Sequence, residues 1–358
     1  MRSLLIILSA ALVFAEWPIF RGDGALSGTA VSSIPDRPVI LWSHVVGKKT
    51  VSSPVIARGV VCIGGDGVFA LSVSNGKRLW SYPSSNSFDA PPLIYEGSVY
   101  IGDSAGTFHA FDLSTGSIRW RFSTGEQFAG SANAASGKGL IVAGCYDNTL
   151  YAFDAQHGRV VWKFETDNYI NGAPAVSDGR IAFGGCDGNL HVLSYNGEKR
   201  AAIDVSSYIP SSPAIAGTRA YFGNYGGKLI CADIAKGRIE WQFGEEDGAP
   251  FFASAAVASG RVVAGRRDNK IYCLDARSGK RVWTFSTRGD VDSSPVIASN
   301  TVIVGSADGS VYAIALATGK LIWSYELGGR ITSSPAVDDG RIIIGCEDGR
   351  VYALGAKR

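Results

Sequence analysis

Seven tryptophans, Trp42, Trp80, Trp120, Trp162, Trp241, Trp283 and Trp323, recur with gaps of 38 to 42 residues, save one gap of 79 between Trp162 and Trp241. Ala201 stands near the middle of that long gap in the same local sequence. The chain therefore carries eight copies of one unit, with one tryptophan replaced. A period near 40 residues belongs to repeat architectures, whose units cannot bury their apolar faces alone and must stack on one another.

The unit reads most clearly in its seventh copy: Ser293-Ser294-Pro295-Val296-Ile297, Val302-Ile303-Val304-Gly305, Ala307-Asp308-Gly309, Val311-Tyr312-Ala313-Ile314, Thr318-Gly319 and Leu321-Ile322-Trp323. Short runs of Val, Ile and Tyr broken by Gly, Asp and Asn every eight to twelve residues specify antiparallel strands joined by tight turns. No stretch after residue 15 keeps a helical period for ten residues, which excludes βαβ folds. Four strands per unit, A to D, follow. Asp-Gly at Asp66, Asp187, Asp308 and Asp348 suits the B–C turn. Gly76, Gly116, Gly158, Gly197, Gly237, Gly279 and Gly319 suit the left-handed residue of a bulged C–D turn.

Four strands and about 40 residues per period fit a propeller blade; an open β-solenoid is the alternative. The phase of the repeat decides for the ring. The last copy ends at Val351-Tyr352-Ala353-Leu354 without a strand D, and a surplus strand D, Val39-Ile40-Leu41-Trp42, precedes the first strand A. Pairing the two removes two exposed sheet edges. The fold expected is all-β: an eight-bladed propeller of four-stranded antiparallel blades, closed by its amino-terminal strand. The tryptophans are expected between adjacent blades, with Ala201 marking blade four as the least anchored.

The chain opens with Arg2, an apolar run from Leu4 to Phe14, and Ala15 before Glu16. That pattern is a secretory signal peptide, too short to span a membrane. The expected divisions are a signal peptide at 1–15, an amino-terminal extension at 16–37 and one propeller at 38–358. Without a cysteine after the apolar run a lipid anchor is not expected, so the mature chain should be exported, periplasmic or secreted, soluble and monomeric. Removing Arg2 leaves 33 basic against 32 acidic side chains, a balance that argues against nucleic acid and anionic membranes as partners. Six cysteines in an exported chain allow three disulfides. Cys145 and Cys186, in adjoining turn slots of neighbouring blades, are the best-placed pair; small buried hydrophobes are the other reading.

The unit resembles the pyrroloquinoline-quinone (PQQ)-type propeller repeat. The residues that carry the likeness are Asp348-Gly349 with Val351-Tyr352-Ala353-Leu354, Asp275 with Gly279 and Trp283, Asp112 with Gly116 and Trp120, and Asp154 with Gly158 and Trp162. Trp17-Pro18-Ile19-Phe20-Arg21-Gly22-Asp23 also resembles the start of exported members of that family; an Arg-Gly-Asp adhesion motif is the weaker reading of residues 21–23. The family contains quinoprotein dehydrogenases and non-catalytic propellers such as the scaffold of the outer-membrane barrel-assembly (Bam) complex. The resemblance alone does not choose between them.

For the enzymes, the resemblance implies a quinone held between a tryptophan and a disulfide of adjacent cysteines, a calcium bound by Glu, Asn and Asp, and a catalytic Asp. This chain has no adjacent cysteine pair, and every tryptophan but Trp17 occupies the strand-D slot. The turn aspartates are explained by hairpin geometry. His44, His109, His157 and His191 are scattered and make no metal-type pair. No nucleophile elbow or phosphate loop occurs. No catalytic residue, metal ligand or cofactor is therefore assigned, with PQQ plus calcium as the alternative.

In a propeller the D–A and B–C loops share one face around the channel. Here the D–A loops carry Phe88, Phe128, Tyr169, Tyr208 and Phe251-Phe252 over five successive blades, and Lys48-Lys49, Asp290 with Asp292, and Arg330 over the other three. The B–C turn of blade six adds Arg266-Arg267. Aromatics beside arginines are the composition of binding hot spots. The aromatics either form such a surface or plug the loops onto the blades. The reading is a non-catalytic scaffold that binds a protein or extended peptide there, with a quinoprotein oxidoreductase or a carbohydrate-binding propeller as alternatives.

Overall fold

A computed structural model describes residues 16–245 and 247–357; the expected signal peptide lies outside the described residues. Strands stand where the Val, Ile and Tyr runs stand. Blade one comprises Val55–Ala57, Val60–Gly65, Gly67–Ser72 and Arg78–Pro83, hydrogen-bonded in chain order; the pattern repeats through seven blades, and the eighth has three sequential strands of its own. The C–D pairing of every blade carries a one-residue register shift beside its tryptophan, or beside Ala201 in blade four. The seven C–D glycines adopt φ between 65° and 82°, the left-handed conformation that such a bulged turn requires.

The ring closes as the phase of the repeat demands. The ribbon Val39–Val45 pairs antiparallel with Arg350–Gly355, Val39 opposite Gly355 and Val45 opposite Arg350, and completes blade eight. This pairing is one more C–D ladder, but its strands lie about 310 positions apart.

The tryptophans hold blade to blade. Trp80 donates its indole N–H to the Leu113 carbonyl, 2.7 Å away in the C–D turn of the next blade, and Trp283 does the same to Leu316 at 2.7 Å. Trp42, Trp120, Trp162 and Trp241 repeat the contact with Val73, Ala155, Tyr195 and Ala276 at 3.0 to 3.2 Å. Each ring also lies flat against that turn's glycine: a Cβ on Gly116 would stand 2.6 Å from Trp80, and one on Gly319 2.8 Å from Trp283. The repeated glycine thus serves two needs at once, positive φ and room for the indole. Trp323 faces a blade without a C–D turn, and the Pro35 carbonyl of the incoming ribbon accepts its N–H at 3.1 Å.

The Ser-Ser-Pro sequence at the head of strand A also has a structural cause. The first serine of the pair closes its own blade: the Oγ of Ser52, Ser211, Ser293 and Ser333 accepts from the N–H of Gly64, Gly223, Gly305 and Gly345. The second links blades around the channel. Ala173 N–H donates to Ser212 Oγ, Ser212 to Ser254, Ser254 to Ser294, Ser294 to Ser334 and Ser334 to Ser53, all at 2.8 to 2.9 Å. Buried N–H groups at the inner rim are thereby satisfied without a further strand.

The amino-terminal segment does more than precede the ring. It threads the channel and receives N–H groups from the inner strands. Trp17 pairs with Ile56, Ile94 donates to Pro18, Val176 to Gly24, Ile215 to Ala25, Val257 to Ser27 and Ile297 to Gly28, at 2.6 to 2.8 Å. Thr29–Ala30 then adds a short parallel strand to blade seven. Arg21 sits at the centre of this plug, 1% exposed. Its guanidinium donates to the carbonyls of Ser294, Ala255 and Pro295. Burial draws its pKa from 12.5 down to about 9, which leaves it charged at neutral pH. An Arg-Gly-Asp adhesion motif is excluded here, because its arginine is buried.

Two expected outcomes test this architecture. Deleting residues 38–46 should expose the edge of Arg350–Gly355 and give an aggregating, poorly folded chain; a monomer of unchanged melting temperature by light scattering and calorimetry would contradict closure. Trp283→Ala should cost about 3–5 kcal/mol in urea denaturation, and Trp283→Phe distinctly less.

Candidate binding face

The D–A loops place two successive residues differently. The residue that packs behind the glycine closing strand B is Val46, Phe88, Phe128, Ile170, Ile209, Phe251, Val291 or Ile331, and all eight are at most 1% exposed. Phe88, Phe128 and Phe251 are therefore plugs of the inter-blade core, the local form of a requirement that Val and Ile meet in sibling blades. Of the two readings of the loop aromatics, surface or plug, these three side chains take the buried position. Tyr169 and Tyr208 lie one residue earlier in their loops and project outward, 48% and 52% exposed.

Those two tyrosines have neighbours that the D–A loops alone do not reveal. Tyr146, in the B–C turn of blade three, stacks on Tyr169 with centroids 5.0 Å apart and planes 14° from parallel. Tyr225, in the B–C turn of blade five and 54% exposed, lies 6.2 Å from Tyr208 and meets Phe252 edge-on at 6.0 Å. Arg267 stands 3.7 Å over the Phe252 ring and donates through Nε and a terminal nitrogen to both oxygens of Asp292, at 2.8 and 2.9 Å. The Asp292 carboxylate raises the Arg267 pKa. An exposed aromatic and cationic band thus crosses blades three to six. Tyr146 and Tyr225 carry no signal of their own in the sequence, because only the fold brings the B–C turn beside the neighbouring D–A loop.

The remaining candidates divide between core and rim. Arg266 is buried: its Nε donates to Ala249 O at 2.6 Å and its guanidinium lies 5.1 Å over Phe251. Asp290 is half-buried, and its backbone carbonyl accepts from Ala307 N–H at 2.8 Å. Arg330 is exposed with Nε 4.0 Å from Glu347, whose other oxygen lies 3.2 Å from Lys49. The charged side of the mouth thus pairs largely within itself, which leaves the aromatic side as the unpartnered one.

Beneath the loops, the B–C aspartates latch onto strand C. Asp147, Asp268, Asp308 and Asp348 accept from the hydroxyls of Tyr151, Tyr272, Tyr312 and Tyr352 at 2.5 to 2.7 Å. His191 and His109 replace the tyrosine, 2.6 Å from Asp187 and 3.1 Å from Asp103. All six cysteines are unbridged. The Cys145–Cys186 pairing is corrected: Cys145 donates to the Glu126 carbonyl at 3.1 Å, and Cys186 accepts from Asn171 Nδ2 at 2.9 Å. Burial raises the Cys145 and Cys346 thiols to about 11, so these behave as packing groups.

Eight four-stranded blades around a channel, closed by an amino-terminal ribbon, make this an eight-bladed β-propeller with a loop-borne candidate binding face. The chain belongs to the family described as outer membrane protein assembly factor BamB, whose sequence profile matches residues 40–122, 109–243 and 244–358. Two curated assembly factors of that name are similar over short stretches. The relative from Nitrosomonas eutropha is 34% identical over 91 residues, 22% of this chain and 21% of its own length. That from Taylorella asinigenitalis is 37% identical over 59 residues, 16% and 15% of the two lengths. The chain thus matches about a fifth or less of each relative.

Among solved structures, BamB from Moraxella catarrhalis superposes with a TM-score of 0.78 at 17% identity, over 89% of this chain and all of that one. A europium-containing methanol dehydrogenase gives 0.81 at 13%, over 96% and 98%. The computationally designed Ika8 protein gives 0.76 at 17%, over 88% and 98%. A fold shared by an assembly factor, a dehydrogenase and a designed protein does not specify chemistry.

The dehydrogenase likeness implies a quinone, and the residues here do not fit one. The channel cavity, rimmed by Ser53, Ser212, Ser254, Ser294 and Ser334 with Phe20 among its lining residues, holds about 170 Å³, below the roughly 300–1,000 Å³ usual for cofactor sites. Seven of the eight tryptophans are committed to the seams between blades, and Trp17 is tied to Ile56 in the plug. Among the described residues no cluster of His, Cys, Asp and Glu is arranged to hold a metal.

The His109–Asp103 pair makes a pH prediction. Burial disfavours the imidazolium more than Asp103 favours it, so the folded pKa lies below the ordinary 6.5. The unfolded chain then takes up the proton first as pH falls. Stability from this site is intact above about pH 6.5 and declines below it. Urea midpoints measured from pH 7 to 5 should fall less steeply in His109→Gln than in the unsubstituted protein.

Proposed function

We propose that this protein is an exported, non-catalytic scaffold that engages a protein or extended peptide through the aromatic side of its D–A/B–C face, in the service of outer-membrane protein assembly. Family membership supports the assembly role, and the expected signal peptide supports export. No described helix is long and apolar enough to cross a membrane. The observation that carries the binding reading is the exposure of Tyr169, Tyr208 and Tyr225, each about half open to solvent, where the neighbouring loop aromatics are buried. Tyrosine offers large contact area with few rotatable bonds and a polar tip, and Arg267, stacked on Phe252 beside Tyr225, adds the arginine that interface hot spots favour.

The contact needs no covalent step. An extended segment laid across blades three to six would stack on Tyr146 and Tyr169, then on Tyr208, Tyr225 and Phe252, with Arg267 already oriented by Asp292. Pre-orientation lowers the entropy cost of docking.

The test separates surface from plug. Tyr169→Ser, Tyr208→Ser and Tyr225→Ser combined should leave the melting temperature within about 3 °C and abolish capture of the partner by photo-crosslinking in the native envelope fraction. Phe88→Ser, by contrast, should destabilise by about 3–5 kcal/mol. Retained capture in the triple variant would refute the proposed face.

A further inference from the structure

Six of the seven between-blade tryptophans occupy equivalent slots: indole on the glycine of the next C–D turn, N–H on the carbonyl two or three residues before that glycine. At the seam of blades four and five the slot is built and its tryptophan is missing. Gly237 keeps φ of 65° as its siblings do, but its side is covered only by the Ala201 Cβ, 3.4 Å from where its own Cβ would stand. Ile234, three residues before Gly237, supplies the equivalent carbonyl. A second shortening enlarges the gap. Strand B of blade two contributes Tyr100 beside Trp120, and blade four places Ala182 at the equivalent position.

An open groove of about 340 Å³, lined by Asp178, Arg180, Ser194, Arg200, Ile234 and Ala235, adjoins Gly237 and Ala201 without including either. It lies at the A–B and C–D turns, on the face opposite the tyrosine band. The turn keeps the left-handed glycine of its siblings, while the strand Lys199–Asp204 presents Ala201 where they present an indole.

We infer that this seam is a binding site for a tryptophan side chain of a partner polypeptide, which completes the blade-four clasp in trans. The indole ring lies on Gly237 and its N–H donates to the Ile234 carbonyl, while Arg180 and Arg200, the latter 2.9 Å from Glu198, line the adjoining groove. The template for this geometry is the protein's own set of filled slots. The site is separate from the tyrosine band, so either can fail without the other.

Saturation-transfer NMR with N-acetyl-tryptophanamide is the direct probe. Transfer to the indole protons is expected with the unsubstituted protein. It should be lost in Ala201→Trp, whose melting temperature should rise by at least about 2 °C as the eighth clasp forms. Ala201→Leu, a smaller block, should also lose the signal and covers the case in which Ala201→Trp folds poorly. The 1-methylindole analogue, which has no N–H, should bind three- to ten-fold more weakly, the loss of about one hydrogen bond. No transfer at about 10 mM probe, unchanged transfer in both blocked variants, or equal binding of the methylated analogue would overturn the assignment. Free L-tryptophan binding more than ten-fold tighter than the blocked amide would overturn the polypeptide as the source.

Discussion

The contact on which the ring depends is an indole laid on a glycine of the next blade, its N–H given to a turn carbonyl. A single blade is a four-stranded sheet with two apolar faces and no means of covering either. The clasp covers one face of its neighbour and orients it, so stability accrues per seam and not per blade. It also explains why two residue types recur together. The glycine is required by the left-handed turn, and the tryptophan then fills the space that the missing Cβ leaves. Substituting either partner leaves the other wrongly shaped. Closure obeys the same rule: Trp323 finds no turn in blade eight, and Pro35 of the incoming ribbon supplies the carbonyl. The amino-terminal strand is thus held by a ladder to Arg350–Gly355 on one edge and by the last indole at its start.

Blade number, strand order and closure were legible because they are periodic. Trp, Gly and Asp fall at fixed offsets, and a period survives whatever the intervening residues do. The plug was not legible. Residues 17–30 have no period of their own, and their role comes from carbonyls that meet N–H groups of six blades. Only Trp17, Ile19 and Leu26, apolar and buried, left a trace of it in composition. The loop aromatics show a second limit. Phe251 and Tyr208 look alike as aromatics in D–A loops, yet one residue of offset points the first into the core and the second into solvent. Alignment against Val46, Ile170 and Ile331, which hold the plug position in sibling loops, carries the signal that separates them.

The two faces of the disc are consequently unequal. The amino-terminal segment lines the inner strands, with Arg21 holding three carbonyls beneath the serine ring, and what remains of the channel is small. Chemistry that needs a deep pocket has little room here, whereas loops on the rim are free to vary without cost to the seams. The tyrosine band uses that freedom. Tyr146 and Tyr225 sit in B–C turns whose siblings carry Ala307 or Glu347, and neither change disturbs a blade.

In a structure this repetitive, departures from the repeat are the informative positions, because the architecture supplies no reason for them. Some are absorbed: His191 replaces a strand-C tyrosine and still reaches its aspartate, and Pro91 interrupts the serine ring where Ala90 takes a hydrogen bond from Ser52. Ala201 is different. Its slot keeps the glycine, the carbonyl and the turn geometry, and lacks the indole. The left-handed turn accounts for Gly237 by itself; what sets this seam apart is the open side of that glycine, which only the Ala201 Cβ approaches.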